Sequence, residues 1–190
     1  WKISHGSELA YLASLVNSNG SATHNQYYIL TADIDLGGQE WIGIGIGNQK
    51  GATQAFKGKF DGNGKVITGF AIEEERDYRP GLFGQLNAGA VVKNLTVHGR
   101  IRAGSKYNFG GLLCVSVEGG SAVENCTVYA DVQITREAGS SDLYFGGITG
   151  RLAPGGKIQD CTAHGKIQLQ VTTSAINKER QYTAGIAARI

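Results

Sequence analysis

Methionine is absent from the 190 residues, no apolar run approaches the roughly 18 residues of a membrane-spanning helix, and no basic run stands out at a net charge of +2. The missing apolar run excludes a helical span within this stretch. The missing basic run argues against nucleic acid as a partner. Helix-forming segments are scarce, so an all-helical domain is a poor reading. The three cysteines, Cys114, Cys126 and Cys161, have neither metal-ligand spacing nor an even count, so they point to no zinc site and leave the redox compartment open. With no Met, a start at Trp1 and a stop at Ile190 inside a repeat, the chain reads as a processed or excised piece of a longer protein.

What is abundant is glycine, with 29 residues against a usual share of roughly 7%. These glycines lack a G-X-Y period and lie among Val, Ile and Leu, which disfavours both collagen and disorder. Four follow one pattern: Gly81-Leu82-Phe83-Gly84, Gly111-Leu112-Leu113-Cys114, Gly147-Ile148-Thr149-Gly150 and Gly185-Ile186-Ala187-Ala188. Their spacings of 30, 36 and 38 residues are those of a supersecondary unit repeated in a solenoid.

The spacing predicts one short amphipathic helix over residues 4–17, with Leu9, Leu12, Ala13 and Val16 on one face, Ser4 or Ser7 as its cap, and Asn19-Gly20 as its end. Strands are expected over 27–36 and 41–45. Asp61-Gly62-Asn63-Gly64 is a turn sequence that asks for positive φ. Beyond it three inward rows align: Ile67, Val92, Val123 and Ile158, then Phe70, Leu95, Cys126 and Cys161, then Ile72, Val97, Val128 and Ala163. Between the first two rows stands a column of Gly69, Asn94, Asn125 and Asp160, where the chain should bend. Outward, Thr96, Thr127 and Thr162 stack, and Glu75, Arg100, Asp131 and Lys166 alternate in sign, which favours this register over a slip by one coil. The expected fold is an all-β parallel β-helix, right-handed on the general preference of β-crossovers. Residues 1–55 read as an N-terminal helix and strand cap, and 56–190 as the coils.

The Gly81–Gly84 quartet, with its looser copies at Gly111, Gly147 and Gly185, resembles the GLUG motif of repeats in bacterial surface and secreted proteins. The segment Ile29-Leu30-Thr31-Ala32-Asp33-Ile34-Asp35-Leu36, followed by Trp41 and by Phe60-Asp61-Gly62-Asn63-Gly64, is similar to the lead-in that precedes such repeats. The first quartet is a full match; Cys114 and Ala188 replace the closing glycine and Thr149 the third hydrophobic residue. The resemblance implies export and display at a bacterial surface, often within large adhesin-like or protease-associated proteins. It implies no catalytic residue, because the motif is a folding element.

Parallel β-helices also carry polysaccharide lyases and hydrolases. Asp33 and Asp35 would share one strand face at about 7 Å, a spacing compatible with paired carboxylates, although solvent-facing positions of an alternating strand give the same pattern. Glu124 over Lys93, and Asp131 between Arg100 and Lys166, read as structural pairs. His98 and His164 share a column with Tyr129 between them, about 9.6 Å apart and too far to ligate one metal; His5 and His24 lie in the cap without partners. Asp61-Gly62-Asn63-Gly64 has no downstream acid to complete a calcium loop. Cys126 and Cys161 read as free thiols filling an inward row, since parallel Cβ vectors aim the sulfurs badly for a disulfide. The sequons at Asn94 and Asn125 are discounted because their column is expected to be internal. No metal and no cofactor is expected.

A ladder at the loops between coils is the most suggestive surface feature. Tyr78, Tyr107, Tyr144 and Tyr182 each precede a repeat glycine by three or four residues, with Lys106 and Arg136 among the charges just upstream. Variable loops on a rigid scaffold are where recognition concentrates, and aromatic faces with polar flanks suit sugar rings or a protein partner. The alternative is an aromatic stack sealing one corner, with Phe109 and Phe145 buried beside it. The sequence therefore reads as a non-enzymatic secreted or cell-surface module that binds glycan or protein through loops on one face. The other readings are a polysaccharide-active enzyme or its accessory domain, and a passive stalk between neighbouring domains.

Overall fold

In the computed structural model, residues 1–46, 54–73, 81–87, 89–104, 109–136, 142–171 and 180–190 are described. Strands β1 (Lys2–Ile3), β2 (Tyr27–Leu30), β3 (Ile34–Asp35), β4 (Lys59–Ile72), β5 (Phe83–Leu86) and β6 (Val91–Gly104) form the first half. The second half holds β7 (Phe109–Gly111), β8 (Cys114–Val117), β9 (Ala122–Glu124), β10 (Thr127–Arg136), β11 (Leu143–Gly146), β12 (Thr149–Leu152), β13 (Lys157–Gln159), β14 (Thr162–Val171), β15 (Gln181–Ala184) and β16 (Ala187–Arg189). Pairing is parallel throughout the described residues. A nine-stranded sheet runs β1-β2-β4-β6-β10-β14 with β3, β9 and β13 attached, beside a three-stranded sheet β7-β11-β15 and a four-stranded sheet β5-β8-β12-β16. The chain is a parallel β-helix, successive coils stacking strand on strand along the sheets.

Helix α1 (Gly6–Ser18) packs Leu9, Leu12, Ala13 and Val16 into the core, the face expected from their spacing. Its N-cap is His5 rather than Ser4 or Ser7. The Glu8 carboxylate one turn in accepts from the Ser4 and His5 backbone amides, at 2.6 and 3.2 Å, the N3 half of a capping box, which ties the chain entering the helix to its first turn. Asn19 ends the helix as foreseen, its amide donating to Leu15 O. The expected strand over 41–45 is reduced to isolated bridges, Glu40 to Ala71 and Ile44 to Phe83, because Gly43 and Gly45 take positive φ.

The core is a column of apolar side chains inside the coils. Phe56, Phe60 and Phe83 fill the lower coils with ring centroids 5.3 to 5.4 Å apart, while Leu95, Val97, Cys126 and Val128 occupy the middle ones. In the last coil Ile158, Cys161, Ala163, Ile167 and Leu169 are only partly buried. The GLUG-like quartets form the corner between the two smaller sheets. A Cβ placed on Gly81 would lie 2.8 Å from Gly111 O of the next coil, so the corner tolerates no side chain there. Gly185, in the last coil, has nothing within 4 Å of that position.

The bend column is present, with a different first member. Asn63, Asn94, Asn125 and Asp160 adopt φ of 52°, 52°, 49° and 53°, so Asn63 rather than Gly69 heads the column. The inward rows shift with it: Phe60 aligns with Val92, Ile67 with Val97, and Ile72 with Ile101. The cause is two irregularities in β4. Residues 62–64 stand opposite Asn94 alone, and Thr68 and Gly69 stand opposite His98 alone, so a constant count back from β6 misplaces the first coil. In the later coils the expected registers hold, including Thr96–Thr127–Thr162 and Arg100–Asp131–Lys166. Ala71, not Glu75, is the residue opposite Arg100; Glu75 lies outside the described residues.

Candidate functional site

Two columns of aromatic rings stand on the coil surface, each built by register alone. On the three-stranded sheet Phe109, Tyr144 and Tyr182 are aligned and stacked: Phe109 to Tyr144 at 5.2 Å between centroids and 12° between planes, Tyr144 to Tyr182 at 4.7 Å and 4°. These separations are the spacing between coils, so each ring rests on the one beneath it. The Arg189 guanidinium sits 5.5 Å from the Phe109 centroid and 5.3 Å from that of Tyr144, within cation–π range.

Polar groups fix the rim of this column. The Tyr144 hydroxyl donates to Asp142 Oδ2 at 3.2 Å, and the other Asp142 oxygen accepts from the Arg180 backbone amide at 3.0 Å, tying two coils together. Partial desolvation and the Asp142 carboxylate raise the Tyr144 phenol above its ordinary value, so it stays a donor through neutral pH. Rings with their faces against one another present edges, hydroxyls and the Arg189 cation to a partner.

Of the residues expected here from sequence, Tyr144 and Tyr182 are brought together. Arg136 lies at the end of β10, paired with Val171. Tyr78, Lys106 and Tyr107 lie outside the described residues. Register gives the rung below Tyr144 to Phe109, which is half-buried and stacked rather than buried in the corner. Phe145 is buried as expected. Alternation along β7 and β11, with Phe109 and Tyr144 outward and Phe145 inward, is the signal that identifies Phe109 as a rung.

The second column lies on the long sheet. His98 stacks on Tyr129 at 4.4 Å, and Tyr129 on His164 at 4.9 Å, with all three exposed. Beside it Asp131 is ion-paired with Arg102 rather than with its register neighbours, and Arg100 with Glu73. Long side chains reach these diagonal partners as easily as the residue directly opposite. Lys93 lies 3.5 Å from Asp61, the residue directly opposite it in β4. The paired acids Asp33 and Asp35 each serve the main chain: Asp33 accepts from the Val66 amide at 2.9 Å and Asp35 from the Gly37 amide at 2.8 Å.

The asparagine column is a hydrogen-bonded ladder at a corner of the coil, and Asn125 is exposed there rather than internal. Asn125 Nδ2 donates to Asn94 Oδ1 at 2.9 Å, Asn94 Nδ2 to Asp61 Oδ1 at 3.0 Å, and Asn63 Nδ2 to Leu30 O at 3.1 Å. The three cysteines are free. Burial pushes the Cys114 thiol up to about 12; hydrogen bonding to Cys161 and burial push Cys126 up as well. Cys161 is half-buried and is held down to about 7, first of all by the hydrogen bond from Cys126.

Comparison with known proteins places the architecture before the function. The chain aligns over its full length with a crystal structure from Bacteroides ovatus named "putative immunoglobulin A1 protease", with a TM-score of 0.67 and 21% identity, and spans 53% of that chain. That likeness is one of fold. In sequence, 86 residues are 36% identical to a halomucin of Haloquadratum walsbyi, and 93 residues are 36% identical to a "Putative Gly-rich membrane protein" of Evansella cellulosilytica. These segments amount to 42% and 47% of this chain, and to 1% and 10% of the two relatives. No protein-family model matches the chain. Both relatives have names suggestive of surface or extracellular proteins, and no helix among the described residues is long and apolar enough to cross a membrane.

Proposed function

We propose that this chain is a non-enzymatic, adhesin-like module of a secreted or cell-surface bacterial protein, built from GLUG-type repeats, that holds glycan or protein partners along the face carrying Phe109, Tyr144 and Tyr182. The observation that carries the reading is the stack of these three rings with Arg189 against it and Asp142 and Arg180 at its rim. Rings held at the spacing between coils form a regular, rigid strip, and contacts repeated along a strip add avidity that no single contact supplies. The names of the two sequence relatives agree with surface display. The alternative, a polysaccharide-active enzyme, draws no support from Asp33 and Asp35, whose carboxylates are engaged by backbone amides.

The test is retention on immobilised polysaccharides and host glycoproteins by the wild-type chain and by Tyr144→Ala. Removing the middle ring takes away two stacking contacts, each worth about 0.5–1.5 kcal/mol in this geometry. Retention is expected to fall at least several-fold while the far-ultraviolet circular dichroism stays β-rich. Unchanged retention would place the binding face elsewhere.

A further inference from the structure

The ladder of His98, Tyr129 and His164 stops short at one end. At the His98 rung, β4 opposes the two bulge residues Thr68 and Gly69 to a single residue of β6. Gly69, at φ 65°, offers no side chain, and the position a Cβ would take is already filled by Asp35 Oδ1 and the Gly37 amide nitrogen; Gly38 lies against it, its amide donating to Gly69 O at 2.9 Å. Between these glycines and His98 there is a recess of about 160 Å³, lined by Gly38, Gly69, Ala71, His98 and Arg100 among others. One face of the His98 imidazole is covered by Tyr129; the opposite face is turned toward this recess.

We propose that the recess is a subsite for one neutral pyranose ring, held as the missing rung of the ladder. Pockets that take drug-sized molecules have volumes of about 300–1,000 Å³, so this one admits a single ring. A sugar ring offers apolar C–H groups on its face and hydroxyls around its edge. The recess supplies the complement, an aromatic face at one end and, at the rim, the Arg100 guanidinium paired with the Glu73 carboxylate. That polar rim favours a hydroxylated ring over a phenyl side chain. The charge of Arg100 is already met by Glu73, and the Asp35 carboxylate lies beside Gly69, so no surplus positive charge selects for a uronic acid. The recess is open to solvent, which allows the bound ring to be one residue of a longer chain running along the long sheet. It lies on a different sheet from the Phe109 column, so the two sites stand or fall separately.

The protein has four histidines, His5, His24, His98 and His164, and therefore four imidazole signals to follow by NMR. Cellotetraose, maltotetraose and mannotetraose serve as neutral probes. At least one of them is expected to shift the His98 ring signals saturably while those of His164, exposed at the opposite end of the same stack, stay in place. His98→Ala should weaken binding about tenfold, the loss of roughly 1.4 kcal/mol of ring contact. Arg100→Gln, which leaves the His98–Tyr129 stack intact, should weaken it as well, and His164→Ala should not. The proposal is overturned if none of the three probes shifts His98 saturably, or if His98 and His164 shift alike, which would mean sugars graze any exposed ring.

Discussion

At the scale of single residues, Asp61 shows how a buried charge is kept in a solenoid. Burial raises its pKa, but hydrogen bonds from the Tyr27 hydroxyl, the Asn94 amide and the Asn63 backbone, together with the Lys93 charge, outweigh burial and hold the carboxyl at about 2. Because the folded-state value lies below the ordinary 3.8, the ionised group stabilises the fold above that pH, and its contribution is lost as the pH falls from about 3.8 to about 2. Thermal unfolding of the wild type should therefore move to lower temperature through this window, and Asp61→Asn should unfold earlier at neutral pH with a flatter acid dependence. Equal acid dependence in the two proteins would show that the carboxylate is not what couples the coils to pH. Cys161 contrasts with Cys114 at the same scale: the half-buried thiol of the last coil is held low, and the enclosed one is pushed up.

At the scale of elements, the asparagine ladder sets where each long strand bends. Positive φ disfavours side chains with a Cβ, and asparagine meets the requirement while its amide reaches the preceding coil. Asn94→Ala, which keeps the Cβ and loses both amide bonds, is expected to cost about 1–3 kcal/mol, whereas Asn94→Gly relieves the backbone and loses only the bonds, about 0.5–1.5 kcal/mol. Chemical denaturation of the pair separates the two contributions; equal costs would assign the column's role to hydrogen bonding alone. These elements also mark how far sequence reasoning reaches. The buried face of α1 and the rows from β6 onward were legible because their periods are unbroken, and so was the pairing of Tyr144 with Tyr182. The first coil was not, because its two irregularities add residues that no period announces. The tyrosine spacing does not mark Phe109 as a rung; only the inward–outward alternation of β7 does. The recess beside His98 was hidden for the same reason as the first coil, since it exists only where the bulge at Thr68 and Gly69 displaces the register.

At the scale of the whole molecule, stacking turns isolated side chains into continuous strips. A ring repeated once per coil becomes the Phe109–Tyr144–Tyr182 column, and histidine and tyrosine at another position become the His98–Tyr129–His164 column, on two different sheets of one scaffold. The last coil carries the same corner glycine and apolar row as the others, with Ile186 and Ile190 exposed at 37% and 92%. Fold alone leaves enzyme, binding module and stalk open, because the same coil supports all three. The measurement that separates them most directly is incubation of the wild-type chain with a panel of host and plant polysaccharides and host glycoproteins, scoring both retained protein and newly formed chain ends. Retention without new ends is the predicted result. Release of reducing or unsaturated ends, or the absence of retention on every member of the panel, would contradict it.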